Sequence, residues 1–412
     1  MADEVLHPGS ASELADIVAQ AADAGTALKV EGRGTKDGWG RPVDAPLTVS
    51  TAGLAGISLY EPEELVLSAA AGTPISAIRQ SLEQYNQFLP FEPPDLGPLW
   101  GAVPDSGTLG GVIAANLSGS RRLQAGAARD HLLGFEAVNG RGELFKSGGR
   151  VVKNVTGFDL SKLMAGSFGT LGVMTSITIK VLPNPEKTRT VLLYGLNEAV
   201  GIEALSRALQ SPLEVNGAAY LPAQAASRST VEYVSGPGKS VTAIRLQGPG
   251  PSVETRCEEM RALVAEIGEV EELHFHNSKT LWEEIGNVGG LLGRDDSILW
   301  RLSVAPTDGP VVAQEIANAC GGEAYFDWGG GLIWLSLPAD EGCRDGDVRG
   351  AVTAKGGHAT LLRAPEEIRR EVFVFEPQAA AVAGIQTNLK NSFDPKLILN
   401  PGRMYPEARG GA

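Results

Sequence analysis

Pro104-Asp-Ser-Gly-Thr-Leu-Gly-Gly-Val-Ile-Ala-Ala-Asn116 is the stretch on which the reading of this chain turns. Tiny residues run into a small-residue segment, with Ser118, Gly119 and Ser120 just beyond. A glycine pair lets main chain approach a ligand to hydrogen-bonding distance, where any Cβ would clash. The same spelling also serves close packing of one element on another, and this segment alone leaves both readings open. Upstream, Gly32-Arg-Gly-Thr-Lys36 follows the strand candidate Leu28–Glu31. Such a loop presents successive N–H groups, and Thr35 and Lys36 add a hydroxyl and a positive charge, which suits a phosphate; a plain turn is the alternative. It is neither a Walker loop nor a Gly-x-Gly-x-x-Gly turn that opens a helix. Downstream, Gly166-Ser-Phe-Gly-Thr-Leu-Gly-Val173 repeats the Gly-Thr-Leu-Gly word and follows the donor-rich Lys153-Asn-Val-Thr-Gly-Phe-Asp159. Three such loops at strand ends within one domain point to a single large phosphate-bearing ligand.

Around these loops the first 185 residues alternate quickly between short strands and helices. The spacing of Leu14, Ile17, Val18 and Ala21 predicts a helix from Ser12 to Asp23, with Ser12 able to cap it. A second helix is expected from Thr73 to Glu83, and strands at Leu65–Ala71, Leu133–Val138, Glu143–Ser147 and Val173–Leu182. Pro183-Asn-Pro185 breaks the pattern and marks a domain boundary. Beyond it, longer alternating elements predict an α+β domain with helices on one face of a modest sheet. His274-Phe-His276 alternates on an expected strand, Glu269–Phe275, and reads as a half-exposed strand face rather than a metal site.

The chain has 412 residues and a net charge of −14 from 35 basic and 49 acidic side chains. That length predicts two or three domains. Hydrophobic residues at 43% and charged ones at 20% describe a globular chain and exclude global disorder. The acidic balance argues against nucleic acid or an anionic membrane as the main partner. No apolar run reaches the ~18 residues needed to span a bilayer, and the N-terminus lacks the pattern of a signal peptide. Three dispersed cysteines, Cys257, Cys320 and Cys343, fit a reducing compartment and supply no metal or cluster spacing. A cytoplasmic location is expected, with any attachment to the inner membrane made through partners.

Taken in order, Gly32-Arg-Gly-Thr-Lys36, Gly107-Thr-Leu-Gly-Gly-Val-Ile-Ala-Ala-Asn116, Arg129-Asp-His-Leu-Leu-Gly134, Gly157-Phe-Asp-Leu160, Gly169-Thr-Leu-Gly-Val173 and Leu399-Asn-Pro-Gly-Arg403 resemble the vanillyl-alcohol-oxidase (PCMH-type) flavoproteins. Within that superfamily, Val151-Val-Lys-Asn-Val-Thr-Gly-Phe-Asp-Leu160 and Gly356-Gly-His-Ala-Thr-Leu-Leu-Arg363 are similar to the FAD-binding E subunits of bacterial glycolate oxidases. The resemblance implies an α+β fold. Residues 1–186 would be a PCMH-type FAD-binding domain of two α+β subdomains, residues 187–365 a reduced α+β cap, and residues 366–412 a segment returning to the FAD domain. It implies non-covalent FAD, His131 being the nearest position for covalent attachment. Gly32, Arg33, Gly34, Thr35 and Lys36 would hold the pyrophosphate, helped by Pro104, Ser106, Gly107, Thr108, Gly110 and Gly111. Ser118, Gly119, Gly126 and Asp130 would line the cofactor further along, with Gly172, Val173 and Asn400 closing the site.

The implied activity is oxidation of glycolate or a similar short 2-hydroxy acid. Electrons would pass to a second FAD-binding catalytic subunit and an iron–sulfur subunit. A non-catalytic relay subunit and a stand-alone alcohol oxidase are the rivals. The His-rich metal run of related catalytic subunits is absent, and no metal is expected. Arg301, His358 and Arg363 are the candidates for the substrate. An arginine fork pairs with a carboxylate in two bonds, and a histidine can take a hydroxyl proton.

Overall fold

The computed structural model describes residues 4–149, 158–292 and 297–406. The Val151–Gly157 part of the third loop motif, Lys153 included, lies outside them. The chain divides into two compact units, residues 1–118, 126–184 and 373–412, and residues 119–125 and 185–372. The short segment 119–125, which the sequence reading gives to the first domain, groups with the second unit. Among the described residues no helix is long and apolar enough to cross a membrane.

The first unit contains two α+β halves. One is a parallel three-stranded sheet in the order Glu4–Leu6, Leu47–Ser50, Leu28–Glu31. The other is an antiparallel five-stranded sheet in the order Ile57–Glu61, Val66–Ala70, Val173–Lys180, Leu132–Val138, Leu144–Gly148. The helix Ala11–Ala24 places Leu14, Val18 and Ala21 in a core shared with Leu28, Val49, Val138 and Val173. Its cap is Ser10, not Ser12. Ser10 Oγ accepts the Glu13 N–H at 3.1 Å, while the Glu13 carboxylate accepts the Gly9 N–H at 2.7 Å, so both ends of the word Ser10-Ala-Ser-Glu13 are used.

Leu28–Glu31 is an edge strand, and the C-terminal segment takes its open side. The Leu28 N–H donates to the Ile398 carbonyl at 2.7 Å, and the Asn400 N–H donates to the Leu28 carbonyl at 2.9 Å. The Asn400 side chain continues the ladder: its Oδ1 accepts the Val30 N–H at 2.7 Å, and its Nδ2 donates to the Val30 and Phe168 carbonyls. Asp394, fully buried, accepts the Ile398 and Leu399 N–H groups and pairs with Lys390 at 2.7 Å. The residues after Phe393 are thereby built into the strand that carries the first glycine loop.

The second unit is built on one eight-stranded sheet in which each adjacent pair is antiparallel. Its order is Glu269–Leu273, Lys187–Tyr194, Val241–Gly248, Gly217–Leu221, Glu323–Asp327, Leu332–Leu337, Ile298–Ser303, His358–Arg363. Helices are not confined to one face. Trp300 points toward the loop before helix Asp345–Thr353, its Nε1–H donating to the Cys343 carbonyl. Tyr325, Trp334 and Arg301 are cross-strand neighbours one step out of register with Trp300, so they face the other way. On that side Tyr325 Oη donates to the Ile285 carbonyl of helix Phe275–Gly286. This helix also explains why His274 and His276 are not strand residues. The strand stops at Leu273 where pairing with Thr190–Tyr194 ends, and the chain turns to lay Ser278 and Trp282 on Thr190, at 2.6 and 2.8 Å.

Replacing Asn400 by Ala leaves the half-buried Val30 N–H and two carbonyls without the partner they have in the native chain. The expected cost is about 2–4 kcal/mol, measured as a lower urea midpoint with unchanged slope; a midpoint equal to that of the native chain would show that the tail is dispensable to the strand.

Candidate functional site

A groove of about 690 Å³, partly open to solvent, runs through the first unit between its two sheets. Its wall is the first glycine loop, Gly32 to Lys36, with Thr108, Gly110 and Gly111 of the second and Gly169, Gly172 and Val173 of the third. The sequence reading missed Thr51, Ala71, Phe168, Met174 and Arg403 among the lining residues. Arg403 was in view only as the end of the closing motif. What brings it in is a pair of bonds to the Lys36 and Trp39 carbonyls, at 2.9 and 3.0 Å.

The loops play different parts. Gly34 sits at φ +68°, the left-handed conformation that closes the turn. The N–H groups from Arg33 to Lys36 donate to no other main-chain group among the described residues, so they remain available along the groove. The second loop is different, because its donors are spent. Leu109 and Gly110 N–H bond to the Thr73 and Ala71 carbonyls, and the Thr108 hydroxyl caps the short helix Leu109–Ala114 by accepting the Gly111 N–H. A Cβ on Gly110 would lie 2.9 Å from Ala71 Cβ and its carbonyl, so this glycine is required by packing. A Cβ on Gly111 would instead stand 3.2 Å from Lys36 Nζ, on the groove side.

Lys36 is the electrostatic centre of the groove. Its ammonium donates to Thr35 Oγ1 at 3.2 Å. Withdrawal from water, opposed in part by Asp95 and reinforced by Arg403, lowers its pKa to about 8. A cation held away from water beside a second one, under a fan of N–H groups, is a site short of an anion. The pyrophosphate of FAD meets that need, and the residues fit it.

The remaining expected positions lie elsewhere. Pro104, Ser106 and Gly107 do not line this groove; Ser106 donates to the Val103 carbonyl, and Gly107 lines a smaller neighbouring pocket with Lys36 and Arg79. Ser118, Gly126 and Asp130 form a separate cluster in the first unit, where Ser118 Oγ accepts the Ala128 N–H and Asp130 accepts the Ala127 N–H, each at 2.9 Å. Gly119 belongs to the second unit. Asn400 is committed to Val30 and Phe168, so it shapes the groove from behind. His131 is buried against the Phe91 ring, 5.7 Å between centroids.

The substrate candidates lie in the second unit. The register sets Arg301 opposite Thr360 and Ser303 opposite His358, so Arg301 and His358 are diagonal neighbours on one sheet face. Arg363 is turned away to Ser297, bonding its carbonyl and hydroxyl at 3.2 and 2.9 Å. Arg301 makes no hydrogen bond or ion pair with any described residue. Its guanidinium rests over Trp328 at 5.1 Å and Trp334 at 5.9 Å. Burial, with Arg122 close by, lowers its pKa to about 10, against the opposing pull of Asp327. Among the described residues no cluster of His, Cys, Asp and Glu could hold a metal ion.

Comparison with known proteins identifies the family. The FAD binding domain family matches residues 2–148. Glycolate oxidase subunit GlcE of Escherichia coli K12 is 33% identical over 395 residues, covering 96% of this chain and 97% of that protein. Glycolate oxidase subunit GlcD of Bacillus subtilis is 24% identical, covering 98% of this chain and 89% of that protein. The crystal structure of 4-ethylphenol oxidase from Gulosibacter chungangensis shares the fold, with a TM-score of 0.73 at 15% identity over 99% of this chain and 91% of that one.

The pKa of Lys36 gives a pH signature. Below pH 8 the amine is already charged, and FAD affinity is flat. Above pH 8 binding an anion must take up a proton, so affinity falls by up to tenfold per pH unit. Lys36→Met flattens that slope. Titration of the apo chain with FAD at pH 7 to 9.5 checks this, and an unchanged slope in the variant would remove Lys36 from the anion site.

Proposed function

This chain belongs to the family of FAD-dependent oxidoreductases that contains the glycolate oxidase subunits, and from that premise we propose that it oxidises glycolate or a similar short 2-hydroxy acid as one subunit of a larger enzyme. The observation that carries the substrate class is Arg301, a half-buried guanidinium braced by two indoles and bonded to no acceptor among the described residues. A carboxylate is the ligand its planar fork recognises best.

FAD would be held non-covalently along Arg33–Lys36, Gly111 and Gly172, and when bound would supply the hydride acceptor. The chain's own residues have simpler tasks. Arg301 anchors the carboxylate and fixes the orientation of the acid. His358, diagonal to it on the same sheet face, accepts the hydroxyl proton. Trp328 and Trp334 keep water from the anchor. Arg363, committed to Ser297, holds the end of the strand on which His358 stands.

A second FAD subunit and an iron–sulfur subunit are the partners of this reading. Support comes from the helix Ala380–Phe393, which has no buried residue. Val382 and Ile385 are 43% and 61% exposed on it, and no charged residue occurs from Pro377 to Leu389. Homologous subunits pair readily through equivalent surfaces. Both GlcE and GlcD relatives align along nearly this whole chain, which supports a second FAD subunit as the occupant of this face.

Two outcomes are expected. In anaerobic stopped-flow mixing with glycolate, the yellow isolated chain is reduced slowly. Adding the partner subunits raises the rate by at least 10²-fold, because a misplaced acid loses about that factor. No flavin reduction by glycolate in either preparation, with electrons still accepted from the reduced partner, would make this chain a relay. Separately, Ile385→Glu keeps full FAD loading but fails to co-purify with the second FAD subunit; retention of the complex would move the interface elsewhere, and loss of a homodimer by light scattering would assign the helix to a second copy.

A further inference from the structure

The loop that opens the cofactor groove is bracketed by two acids. Glu31 ends the strand Leu28–Glu31, Asp37 follows Lys36, and both line the groove. A Cβ built on Gly34 would stand 3.7 Å from Asp37 Oδ2, and 3.7 and 3.8 Å from the two Glu31 carboxylate oxygens. The two carboxylates therefore lie on the same side of the turn. A wall that receives a pyrophosphate is an unfavourable place for two negative charges.

Lys29 answers both of them. It stands two residues before Glu31 on the strand, so the two side chains share a face. Its ammonium bonds to Asp37 Oδ2 and lies 3.1 Å from Glu31 Oε2. The Asp37 N–H donates to the Gly34 carbonyl at 3.1 Å, so main chain and side chain of Asp37 close the same turn. One lysine thus joins the entry of the loop to its exit. Burial pulls the pKa of Lys29 down, but the bonds to Asp37 and Glu31 outweigh that and raise it, so the amine stays charged. Glu31 is the less settled partner. Burial and the neighbouring Asp37 push its carboxyl above the ordinary value, against the pull of Lys29. Ser50 and Thr51 pack beside it with hydroxyls that donate to the Gly32 and Glu31 carbonyls, at 2.7 and 3.2 Å.

We propose that Lys29 is the positioning residue of the pyrophosphate loop: it latches Glu31 to Asp37 across the turn and offsets the two acids that would otherwise repel the anion. It acts from behind, since it does not line the groove itself. Glu31 is the member of the latch that titrates. When it takes up a proton, Lys29 and Asp37 balance each other, and one negative charge leaves the groove wall. The inference concerns the cofactor loop and is independent of which acid the chain oxidises.

The test is a fluorescence titration of the apo chain with FAD, with the melting temperature of each apo variant measured alongside. Lys29→Met is expected to weaken FAD by about fivefold or more at pH 7, the scale of a partly buried ion pair. Lys29→Arg is expected to keep near-native affinity, because its fork can hold both acids. Adding Glu31→Gln to Lys29→Met is expected to recover most of the loss, one repelling charge being gone. In the native chain, affinity rises as pH is lowered from 7 to 5 and Glu31 gains its proton; in Glu31→Gln that rise is absent. Native affinity in Lys29→Met would overturn the latch. A double variant as weak as Lys29→Met would overturn the charge offset and leave a lysine that serves folding alone. Should Lys29→Met fail to fold, Glu31→Gln decides, since a native pH profile in it would overturn the proposal.

Discussion

A side-chain amide standing in for a peptide group holds the cofactor groove together. Leu28–Glu31 is the edge strand of a small parallel sheet, and an open edge is a row of unpaired donors and acceptors. The main chain at Ile398 and Asn400 pairs with Leu28, and the Asn400 amide then pairs with both polar groups of Val30. Its second donor reaches Phe168, the residue before Gly169 in the third loop. One buried amide therefore couples the first and third glycine loops to the end of the chain. Arg403 completes the connection by bonding to the carbonyls of Lys36 and Trp39.

This arrangement separates the work of shaping the groove from the work of binding. Asn400, Asp394 and Gly110 are fully engaged with protein partners. The groups left for a ligand are the N–H fan of Arg33 to Lys36 and the depressed amine of Lys36. A rigid frame with unspent donors is preorganised, so little reorganisation is required of it when an anion binds. In the second unit the same division holds at Trp328. Strained backbone and the buried Asp327 carboxylate fix the ring, and the ring in turn braces the Arg301 guanidinium.

Glycine words were legible because they report local needs of the backbone. Gly34 at φ +68° takes the left-handed turn, and Gly111 faces Lys36, where a Cβ would stand 3.2 Å from its Nζ. Gly110 carries the same letter for another reason, contact with Ala71, and its spelling could not distinguish the two. The helix Phe275–Gly286 was hidden because His274-Phe-His276 alternates like a strand. Its true register depends on Thr190, far upstream, which receives Ser278 and Trp282.

By itself the sequence determined the α+β class, the FAD-binding character and the order of the loops along the groove. Turn conformations and close approaches are written in single residues and their immediate neighbours. Only the tertiary structure decided that Asn400 closes a strand 370 residues away, that Arg363 leaves Arg301 for Ser297, and that Arg122 shares an indole with Arg301. These are pairings between distant segments, set by sheet order and register. A chain read in one dimension carries no record of which of its many arginines or asparagines will meet a given partner.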